Sequence, residues 1–530
     1  MANDDPRTPD PRHGPRSRHD VAGEIARIEE KSSSVLWKVL DWVDFRVKFR
    51  ESILPSIVHP IPRNTASWWY VFGSATLVCL MLQVVTGICL ALVYVPSAGQ
   101  AWQSLEFLNY QQPLGWYLRA MHYWGSNFMV ALMTIHLIQV FMFGAFKYPR
   151  ELTWLVGCVL FILTLGMAFT GQVMRFDQDA YWGLGIGASM AARFPLIGQQ
   201  VVQMMLGGPI IAGETLSRFF ALHVFVIPGI LLGLVGLHLL LVIKVGINEW
   251  PMPGRLVTRE RYIDEYHELV ERDGEPFVPH GVTRDVVFAG IVMLTIAAFA
   301  AYFGPKGPSG IPDPTLIETN PRPDFYFLPL FSVFALLPPY METGLILTAP
   351  VVLIALAFLL PFYSGTGEKS WQRRPGAWIL VIMMFLMLGV LGWLGTYSPW
   401  SPDMTAWSGA PVPERYVKAS SPLELQGALI VQAKQCRNCH VLGDGGGMRG
   451  PALDGVASRL TRDQLIRQVL QGGGNMPAYG KNLNPAEVTA LVAFLTTLHP
   501  AGELPSRDSA VPAVPATGAD AAPPRTGDAG

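Results

Sequence analysis

The stretch HYWGSNFMVALMTIH, residues 122–136, lies inside an apolar segment, about 114–143, that is long enough to cross a bilayer. It begins and ends with histidine, and the two histidines are fourteen positions apart. Fourteen helical steps cover about 21 Å along the axis and return to within roughly 40° of the starting direction. His122 and His136 should therefore point the same way near opposite sides of a membrane, where polar side chains are costly and usually functional.

A second apolar segment repeats this pattern. His223 and His238 are fifteen positions apart, a net rotation of about 60°, so they also share a helix face. Of the eleven histidines in the chain, only these four lie in predicted membrane spans. Two helices that each carry such a pair could form two His–iron–His sites stacked across the membrane. The alternatives are core histidines with satisfied hydrogen bonds or a proton relay, and two matched pairs favour the iron sites over both.

Glycines repeat the spacing on the two neighbouring spans. Gly73 and Gly87 are fourteen apart, as are Gly157 and Gly171. A flat porphyrin edge needs a close backbone approach, which glycine permits without a side-chain clash. Because glycine is common where membrane helices pack, the shared spacing is the informative feature. It predicts two porphyrin sites at matching depths.

The composition is that of a membrane protein, with half of the 530 residues apolar and 15% charged. The net charge of −1 gives no indication of nucleic acid as a partner. We predict an all-α membrane protein in which a four-helix haem-binding bundle is followed by three further transmembrane helices and a small all-α domain. The seven predicted spans are about 68–95, 115–144, 152–172, 217–246, 285–304, 344–362 and 376–397.

The predicted domain organisation follows from these spans and from shifts in composition. Residues 1–33 are charged and proline-rich, without the apolar core of a signal peptide, and predict a disordered N-terminus. Residues 34–54 predict an amphipathic helix on the membrane surface. The remaining segments are a di-haem four-helix domain at 55–250, a three-helix domain at 251–397, a linker at 398–421, a small domain at 422–499 and a disordered tail at 500–530.

Loop charge predicts the orientation of the chain. Lysine and arginine concentrate in the N-terminal segment and in the loops after spans 2, 4 and 6, whereas the loop after span 1 has none. The positive-inside rule therefore places the N-terminus in the cytoplasm, and seven crossings place the C-terminal domain outside. We expect a multi-pass protein of a bacterial inner membrane with its C-terminal domain on the periplasmic side.

The motif CRNCH is the attachment signature of a c-type haem. Cys436 and Cys439 would form thioethers with the porphyrin, and His440 would bind the iron. A structural zinc or redox pair is the alternative, which the adjacent histidine and the lack of a second cysteine pair disfavour. Met476 in GGGNMPAYG is the predicted sixth ligand, with Met448 as its rival; a Met/His pair raises the potential. Bacteria attach this haem outside the cytoplasm, which agrees with the predicted orientation.

With these motifs the chain resembles cytochrome b of the bc-type quinol:cytochrome c oxidoreductases. It is most similar to the short plastid-type cytochrome b followed by its three-helix partner subunit, here in one chain. LQVVTG, KYPRELTW, ETLSRFFALH and RRP match this family over about residues 34–400, and residues 422–499 are similar to small class I cytochromes c. The resemblance implies two non-covalent haem b groups, one covalent haem c, and quinol or quinone as substrate.

The resemblance also implies the ligand sets. The outer, low-potential haem b would take His122 and His223, and the inner, high-potential haem b would take His136 and His238. Val71 stands where plastid-type relatives have a cysteine that carries an extra inner haem, so we expect no such haem.

Two arginines match propionate contacts of the family. Arg119, three residues before His122, is the stronger match, and Arg218 in RFFALH is the weaker one. For each, the alternative is an ordinary interfacial anchor. Gln139 replaces an arginine that the family has three residues after the inner histidine, so the resemblance implies no propionate partner there.

The motif PDFY stands where the family usually has Pro-Glu-Trp-Tyr, in the outer loop before span 6. The resemblance implies that Asp324 accepts a proton from quinol and that Tyr326 takes part in catalysis, although aspartate is one methylene shorter than glutamate. Asp177 and Asp179 are the next candidates for the acceptor. Without the family, PDFY would indicate only a turn. The loop residues implied to bind quinol are Pro323, Asp324, Phe325 and Tyr326.

The implied activity is quinol oxidation at the outer face coupled to proton translocation. One electron would go to a Rieske iron–sulfur protein on another chain, and the other would cross through the two b haems to reduce quinone near the inner face. The c haem would relay the high-potential electron to a soluble cytochrome c or a terminal oxidase. We expect a homodimeric complex in the lipid membrane. A b-type membrane anchor of a dehydrogenase and a non-catalytic haem redox sensor are the alternatives, and PDFY together with seven spans disfavours the first.

Overall fold

A computed structural model describes residues 35–48, 58–208, 210–313, 323–337, 339–396, 411–446, 450–472, 476, 478–480 and 482–500. These residues fall into two compact units, a large helical unit and a small C-terminal unit. Both are built almost entirely from helices, as predicted.

Seven helices of the large unit are long and apolar enough to cross a membrane, which confirms the predicted number of spans. Spans 4 and 5 begin earlier than predicted, because short polar-ended helical turns precede their apolar parts. The spans, numbered 1 to 7 in chain order, are Phe72–Ala91, Gly115–Met142, Glu151–Met174, Gly213–Val245, Phe277–Phe303, Met341–Tyr363 and Pro375–Thr396.

The loops at the end of the bundle that carries His122 are themselves helical, which the sequence pattern did not predict. We call this the outer end, following the loop-charge prediction, and the opposite end the inner end. Two of these helices contact the loop after span 5. The indole N–H of Trp102 donates to the Ser309 carbonyl at 2.7 Å, and the backbone N–H of Gln178 donates to the Gly310 carbonyl at 2.8 Å. The outer helices are Ala101–Tyr110, Gln178–Ala192, Gly198–Leu206 and Leu328–Leu336.

The inner end contains the strands that the structure describes in this unit. Pro60–Pro62 pairs antiparallel with Gly274–Pro276, and Leu256–Val257 pairs antiparallel with Gly367–Glu368. The second pair joins the loop after span 4 to the loop after span 6. Further inner elements are the helix Tyr262–Asp273 and the short 3-10 helices Arg63–Thr65 and Trp371–Arg373.

The predicted surface helix at 34–54 is shorter in the structure. It spans Val35–Val47 and ends before Lys48, whose φ is +50°. A positive φ interrupts helical geometry in a residue that has a side chain. Residues 49–57 lie outside the described part of the chain.

The C-terminal unit encloses its own core. Three of its helices begin at capping boxes, formed by Ser421 with Glu424, Thr461 with Gln464, and Asn484 with Glu487. Part of the predicted linker belongs to this unit, because Val412 is buried in its core. The elements are the helices Pro422–Ala433, Val456–Arg459, Arg462–Gln471 and Pro485–Leu495 and the 3-10 helices Glu414–Tyr416 and Cys436–Asn438.

A buried polar cluster holds the inner loops together, and we call Arg150, Glu249, Tyr262 and Lys369 the inner-face cluster. Lys369 Nζ lies 3.0 Å from Glu249 Oε1, and the Tyr262 hydroxyl donates to Glu249 Oε2 at 2.6 Å. Arg150 and Lys369 each donate to the Tyr262 oxygen at 2.8 Å. Burial raises the pKa of Glu249, but the charges of Lys369 and Arg150 outweigh burial and lower that pKa to about 2. The carboxylate therefore stays ionised.

We expect Lys369→Met to destabilise the large unit by about 3–5 kcal/mol, the usual cost of breaking a buried ion pair by removing one partner. The measurement is thermal unfolding of the detergent-solubilised chain. Arg272→Met is the matched control, because its ion pair with Asp273 is exposed, and it should leave the unfolding temperature unchanged. Equal unfolding temperatures for the two variants would contradict the assigned role of the cluster.

Candidate haem and quinol sites

The two outer histidines face each other across the bundle. The ring centroids of His122 and His223 are 6.3 Å apart, and the ring planes are 73° from parallel. Two metal–imidazole bonds of about 2.0–2.1 Å each, with about 1.1 Å from each nitrogen to the centre of its ring, require roughly this separation. Spans 2 and 4 therefore present a pair of imidazoles at the spacing that one axially coordinated iron needs.

Each predicted glycine lies against one of the four histidine rings. A Cβ on Gly87 would lie 3.2 Å from His122 Cε1, and one on Gly171 would lie 2.7 Å from His223 Cε1. Real Cβ atoms are rarely accommodated at such distances, so a larger residue would displace the imidazole. The sequence pattern predicted that these glycines lie at a porphyrin edge, and the structure places them beside the histidine rings.

The inner histidines also have a glycine beside each ring. A Cβ on Gly73 would lie 3.2 Å from His136 Cε1, and one on Gly157 would lie 3.6 Å from His238 Cε1. Spans 1 and 3 thus hold the rings that spans 2 and 4 carry, at both depths of the membrane.

The unequal spacing of the two histidine pairs has a local cause. Residues Leu222–Val226 form a π-helical turn that contains His223. Such a turn accommodates one residue more than an α-helical turn. The fifteen positions between His223 and His238 therefore produce the same rotation about the helix axis as the fourteen between His122 and His136. In each span the two histidines lie on one face of the helix.

These features fit two haem b groups. The donor set is two pairs of imidazoles in apolar surroundings, each ring cradled by a glycine, and paired histidines are suitable axial ligands for haem iron. The propionate candidates have partners in the structure. Buried Arg119 donates to Asn109 Oδ1 at 2.8 Å and to the Gly307 carbonyl, and Arg218 donates to the Met204 carbonyl at 2.5 Å. Both bind outer loops, and their role toward a propionate remains a prediction.

The PDFY loop contains a partly buried carboxylate with three donors around it. Asp324 is 10% exposed and pairs with Lys306 Nζ at 2.7 Å. The hydroxyls of Tyr123 and Tyr326 donate to Asp324 oxygens at 3.4 and 3.3 Å. Burial raises the pKa of Tyr326, and the Asp324 carboxylate raises it further, so this phenol stays protonated.

The sequence analysis did not identify Lys306 or Tyr123 as residues of this site. Lys306 is eighteen residues from Asp324 in a glycine- and proline-rich loop, where a lysine ordinarily indicates only solvent exposure. Tyr123 follows the outer ligand His122 directly, so the helix itself brings a hydroxyl to the carboxylate. The sequence does show a tyrosine next to His122, but it does not show which loop that tyrosine faces.

The side chain of the alternative acceptor, Asp177, binds nearby backbone amides. Its side chain accepts hydrogen bonds from the amides of Ala180 (2.8 Å) and Ser309 (2.9 Å), and Arg175 lies 3.3 Å away. It caps the helix Gln178–Ala192 and is fully buried. Pro323 and Phe325 lie beside Asp324 in the described loop, and Asp179 is half-buried in the next helix.

Asp285 is a further acidic residue that the sequence argument did not assign. It lies in the inner part of span 5, near Ser74. The Ser74 hydroxyl donates to the Val71 carbonyl at 2.9 Å, and Ser74 follows Gly73, which lies against the ring of His136. An acidic group inside an apolar span is a functional suspect by itself, so the sequence contained the signal.

The C-terminal unit orders the CRNCH motif around a short 3-10 helix, Cys436–Asn438. The Nδ1 of His440 lies 2.6 Å from the Pro451 carbonyl oxygen, so Nδ1 is the donor and Nε2 is free to bind a metal. A Cβ on Gly450 would lie 2.5 Å from His440 Cε1. Cys436 and Met476 both pack against the core of this unit, which fits a haem c in contact with it. Met448 lies outside the described residues.

Together, these features define a membrane electron-transfer protein with a cytochrome c domain. Three family models match the chain: "Cytochrome b/b6/petB" over residues 57–246, "Cytochrome b(C-terminal)/b6/petD" over 313–410, and "Cytochrome C oxidase, cbb3-type, subunit III" over 424–495.

Relatives match the same regions. The "Menaquinol:cytochrome c reductase cytochrome b subunit" of Bacillus subtilis is 37% identical and covers 40% of this chain and 99% of its own length. "Cytochrome b" of Rhodobacter capsulatus is 30% identical and covers 67% of this chain and 83% of its own. A solved structure, "Hyperthermophilic respiratory Complex III", matches with a TM-score of 0.55 at 27% identity, covering 69% of this chain and 93% of that one.

The chain therefore belongs to the cytochrome b family. Both parts of cytochrome b occur in it, and a cytochrome c domain follows them. The predicted family, the all-α membrane fold and the class of activity, electron transfer in a bc-type complex, are confirmed. Bound haem b and haem c follow from the two kinds of domain.

If His136 binds the inner iron, we expect His136→Ala to remove one of two b haems and leave the c haem in place. The measurement is the pyridine haemochrome spectrum of the purified chain, which should change from two b per c to one b per c. His280→Ala offers a matched control, because this histidine lies near the inner end outside the glycine-lined pockets. One b per c in the unmutated chain would be incompatible with two sites.

If Met476 is the sixth ligand of the c haem, we expect Met476→Ala to lower the c-haem potential because the iron loses its thioether. The haem should stay covalently bound through Cys436 and Cys439. Redox titration and the weak absorption band of methionine–iron ligation provide the measurement. Met448→Ala is the control, and the assignment is wrong if that variant, rather than Met476→Ala, loses the band.

Proposed function

We propose that the chain is the cytochrome b and c subunit of a quinol:cytochrome c oxidoreductase with two haem b sites and one covalent haem c site. The observation that carries the proposal is the 6.3 Å separation of the His122 and His223 rings, each backed by a glycine. When bound, the haems supply one-electron carriers at two depths of the membrane and in the outer domain. His122 with His223 and His136 with His238 hold the two b irons, and His440 with Met476 holds the c iron.

At the outer site, Asp324 acts as the proton acceptor for quinol. Its side chain is only 10% exposed, and Lys306 Nζ lies 2.7 Å from its Oδ1, so the carboxylate is held at a fixed place where it can accept a proton. Tyr326 and Tyr123 donate hydrogen bonds to the same carboxylate and restrict its orientation. Lys306 is 35% exposed, so the acid lies one side chain away from water, to which the proton is released. Pro323 and Phe325 shape the adjoining surface for the quinol ring.

At the inner site, Asp285 is the residue that would deliver a proton to reduced quinone. It lies near Ser74, which adjoins the glycine against the His136 ring, so it is placed close to the inner histidines. A carboxylic acid within an apolar span can donate a proton without opening the site to bulk solvent.

The proposed setting is a bacterial inner membrane, with the N-terminus in the cytoplasm and the cytochrome c domain outside. The concentration of lysine and arginine in the inner loops supports this orientation. A Rieske protein would take the first electron from quinol, and the c haem would pass it to a soluble cytochrome c or an oxidase. Homodimerisation and the absence of an extra covalent inner haem, inferred from Val71, belong to the same proposal.

To test the outer site, we expect Asp324→Asn to slow quinol oxidation by about 10²-fold or more, the scale of losing a general base. Quinol:cytochrome c reductase activity of membranes containing the whole complex is the measurement. Haem spectra should not change, because Asp324 ligates no iron. Asp324→Glu should retain much of the rate, since it keeps the carboxylate.

Asp179→Asn is the matched control, an acid in a neighbouring outer helix that is expected to leave the rate unchanged. A normal rate in Asp324→Asn together with a slow one in Asp179→Asn would move the proton acceptor to Asp179. Absence of any reductase activity in membranes that contain the intact complex would overturn the enzymatic function and favour a redox sensor.

A further inference from the structure

We propose that the hydroxyls of Thr86 and Thr170 accept hydrogen bonds from the outer ligands and lower the reduction potential of the outer b site relative to the inner one. The inference rests on the proposed function, in which His122 and His223 bind one iron and His136 and His238 another. It assigns a tuning role to two threonines that touch no iron.

The contacts are short and symmetric. Thr86 Oγ1 lies 2.9 Å from His122 Nδ1, and Thr170 Oγ1 lies 2.9 Å from His223 Nδ1. Both threonines are buried. Each threonine directly precedes the glycine that lies against the same ring. In each Thr-Gly pair, on span 1 or span 3, the glycine contacts the edge of the outer imidazole and the threonine contacts its Nδ1.

The direction of these hydrogen bonds follows from the threonine protons. The Thr86 hydroxyl donates its proton to the Leu82 carbonyl at 2.6 Å, and the Thr170 hydroxyl donates to the Gly166 carbonyl at 2.9 Å. A hydroxyl has one proton to give, so each oxygen can only accept from the histidine. Nδ1 of both histidines therefore carries the hydrogen, which leaves the lone pair of Nε2 available to hold an iron.

The inner ligands lack this arrangement. The residues that precede the inner glycines are Phe72 and Val156, which have no hydroxyl. In the described part of the chain, Nδ1 of His136 and Nδ1 of His238 make no aligned hydrogen bond. The polar groups beside them are the Gln139 side chain and the Thr153 carbonyl.

A hydrogen bond from Nδ1–H makes an imidazole a more basic ligand, and a more basic ligand stabilises the oxidised iron more than the reduced iron. The outer site, with two such bonds, should therefore have the lower potential. With haems bound, this difference would favour electron transfer from the outer site to the inner site, which has the higher reduction potential. Because the Met167 carbonyl also lies beside His223, Thr170 should contribute less than Thr86.

The experiment is a redox titration of the two b haems, followed by their α-band absorbance, in the purified complex. Thr86→Val should raise the outer potential by a shift equivalent to roughly tenfold in the one-electron equilibrium, or about 59 mV. Thr170→Val should give a smaller rise, and Thr86→Ser should retain the wild-type potential because serine keeps the acceptor. The inner potential should not move in any of these variants.

Thr76→Val and Thr164→Val are matched controls. Both threonines are buried in the same two spans and donate to helix carbonyls, at 2.8 and 2.9 Å, without contacting an outer ligand. An outer potential that is unchanged in Thr86→Val, or raised equally by the controls, overturns the inference. Thr86→Ala removes the acceptor with no added bulk, and it decides the question if the valine variant loses haem.

The same samples separate this inference from the proposed function. A haemochrome ratio other than two b per c would reject the two-site assignment itself. Two b haems with an unaltered outer potential would leave the function standing and reject only the role of the threonines.

Discussion

The contact between a glycine and an imidazole ring organises the large unit. It occurs four times, and each time the glycine lies on span 1 or 3 and the histidine on span 2 or 4. The contact limits how far the paired helices can separate or rotate, because each ring must lie against a backbone that has no side chain. Two such contacts at each depth fix the faces of four helices, and the three remaining spans and the loops are added to that frame.

Much of this was readable from the sequence because it repeats with helical periodicity. His122 and His136 share a face by spacing alone, and the structure agrees. The role of the glycines was predicted only in part. Their spacing indicates that another group packs closely against the backbone at Gly87, but it does not show that this group is the edge of an imidazole ring. The spacing of fifteen in span 4 suggested a rotated pair, and the π-helical turn at Leu222–Val226 removes that rotation. A single sequence has no reliable signal for such a turn.

The outer site was harder to predict for a physical reason. Asp324 came from a motif, but its partner Lys306 comes from the distant start of the same connection between spans 5 and 6, and its partner Tyr123 comes from span 2. Such meetings depend on how loops fold over the end of the bundle, and loops carry little periodic information. The helix Ala101–Tyr110 and the helices after span 3 were missed for the same reason, since they are short and partly polar and tertiary contacts stabilise them. Helices of the C-terminal unit differ in having a local sequence signal, because capping residues such as Ser421 and Asn484 mark where they begin.

The inner-face cluster bears on how the two cytochrome b regions are held together. Arg150 and Glu249 belong to the region that the first cytochrome b model covers or adjoins, and Lys369 belongs to the region of the second. The strand pair of Leu256–Val257 with Gly367–Glu368 and the hydrogen bond from Arg374 to the Phe141 carbonyl at 2.9 Å join the same two regions. Interfaces between parts of one chain resemble those between separate proteins. The register of the two regions therefore does not depend on the peptide link between spans 4 and 5 alone, because these side-chain and backbone contacts also join them.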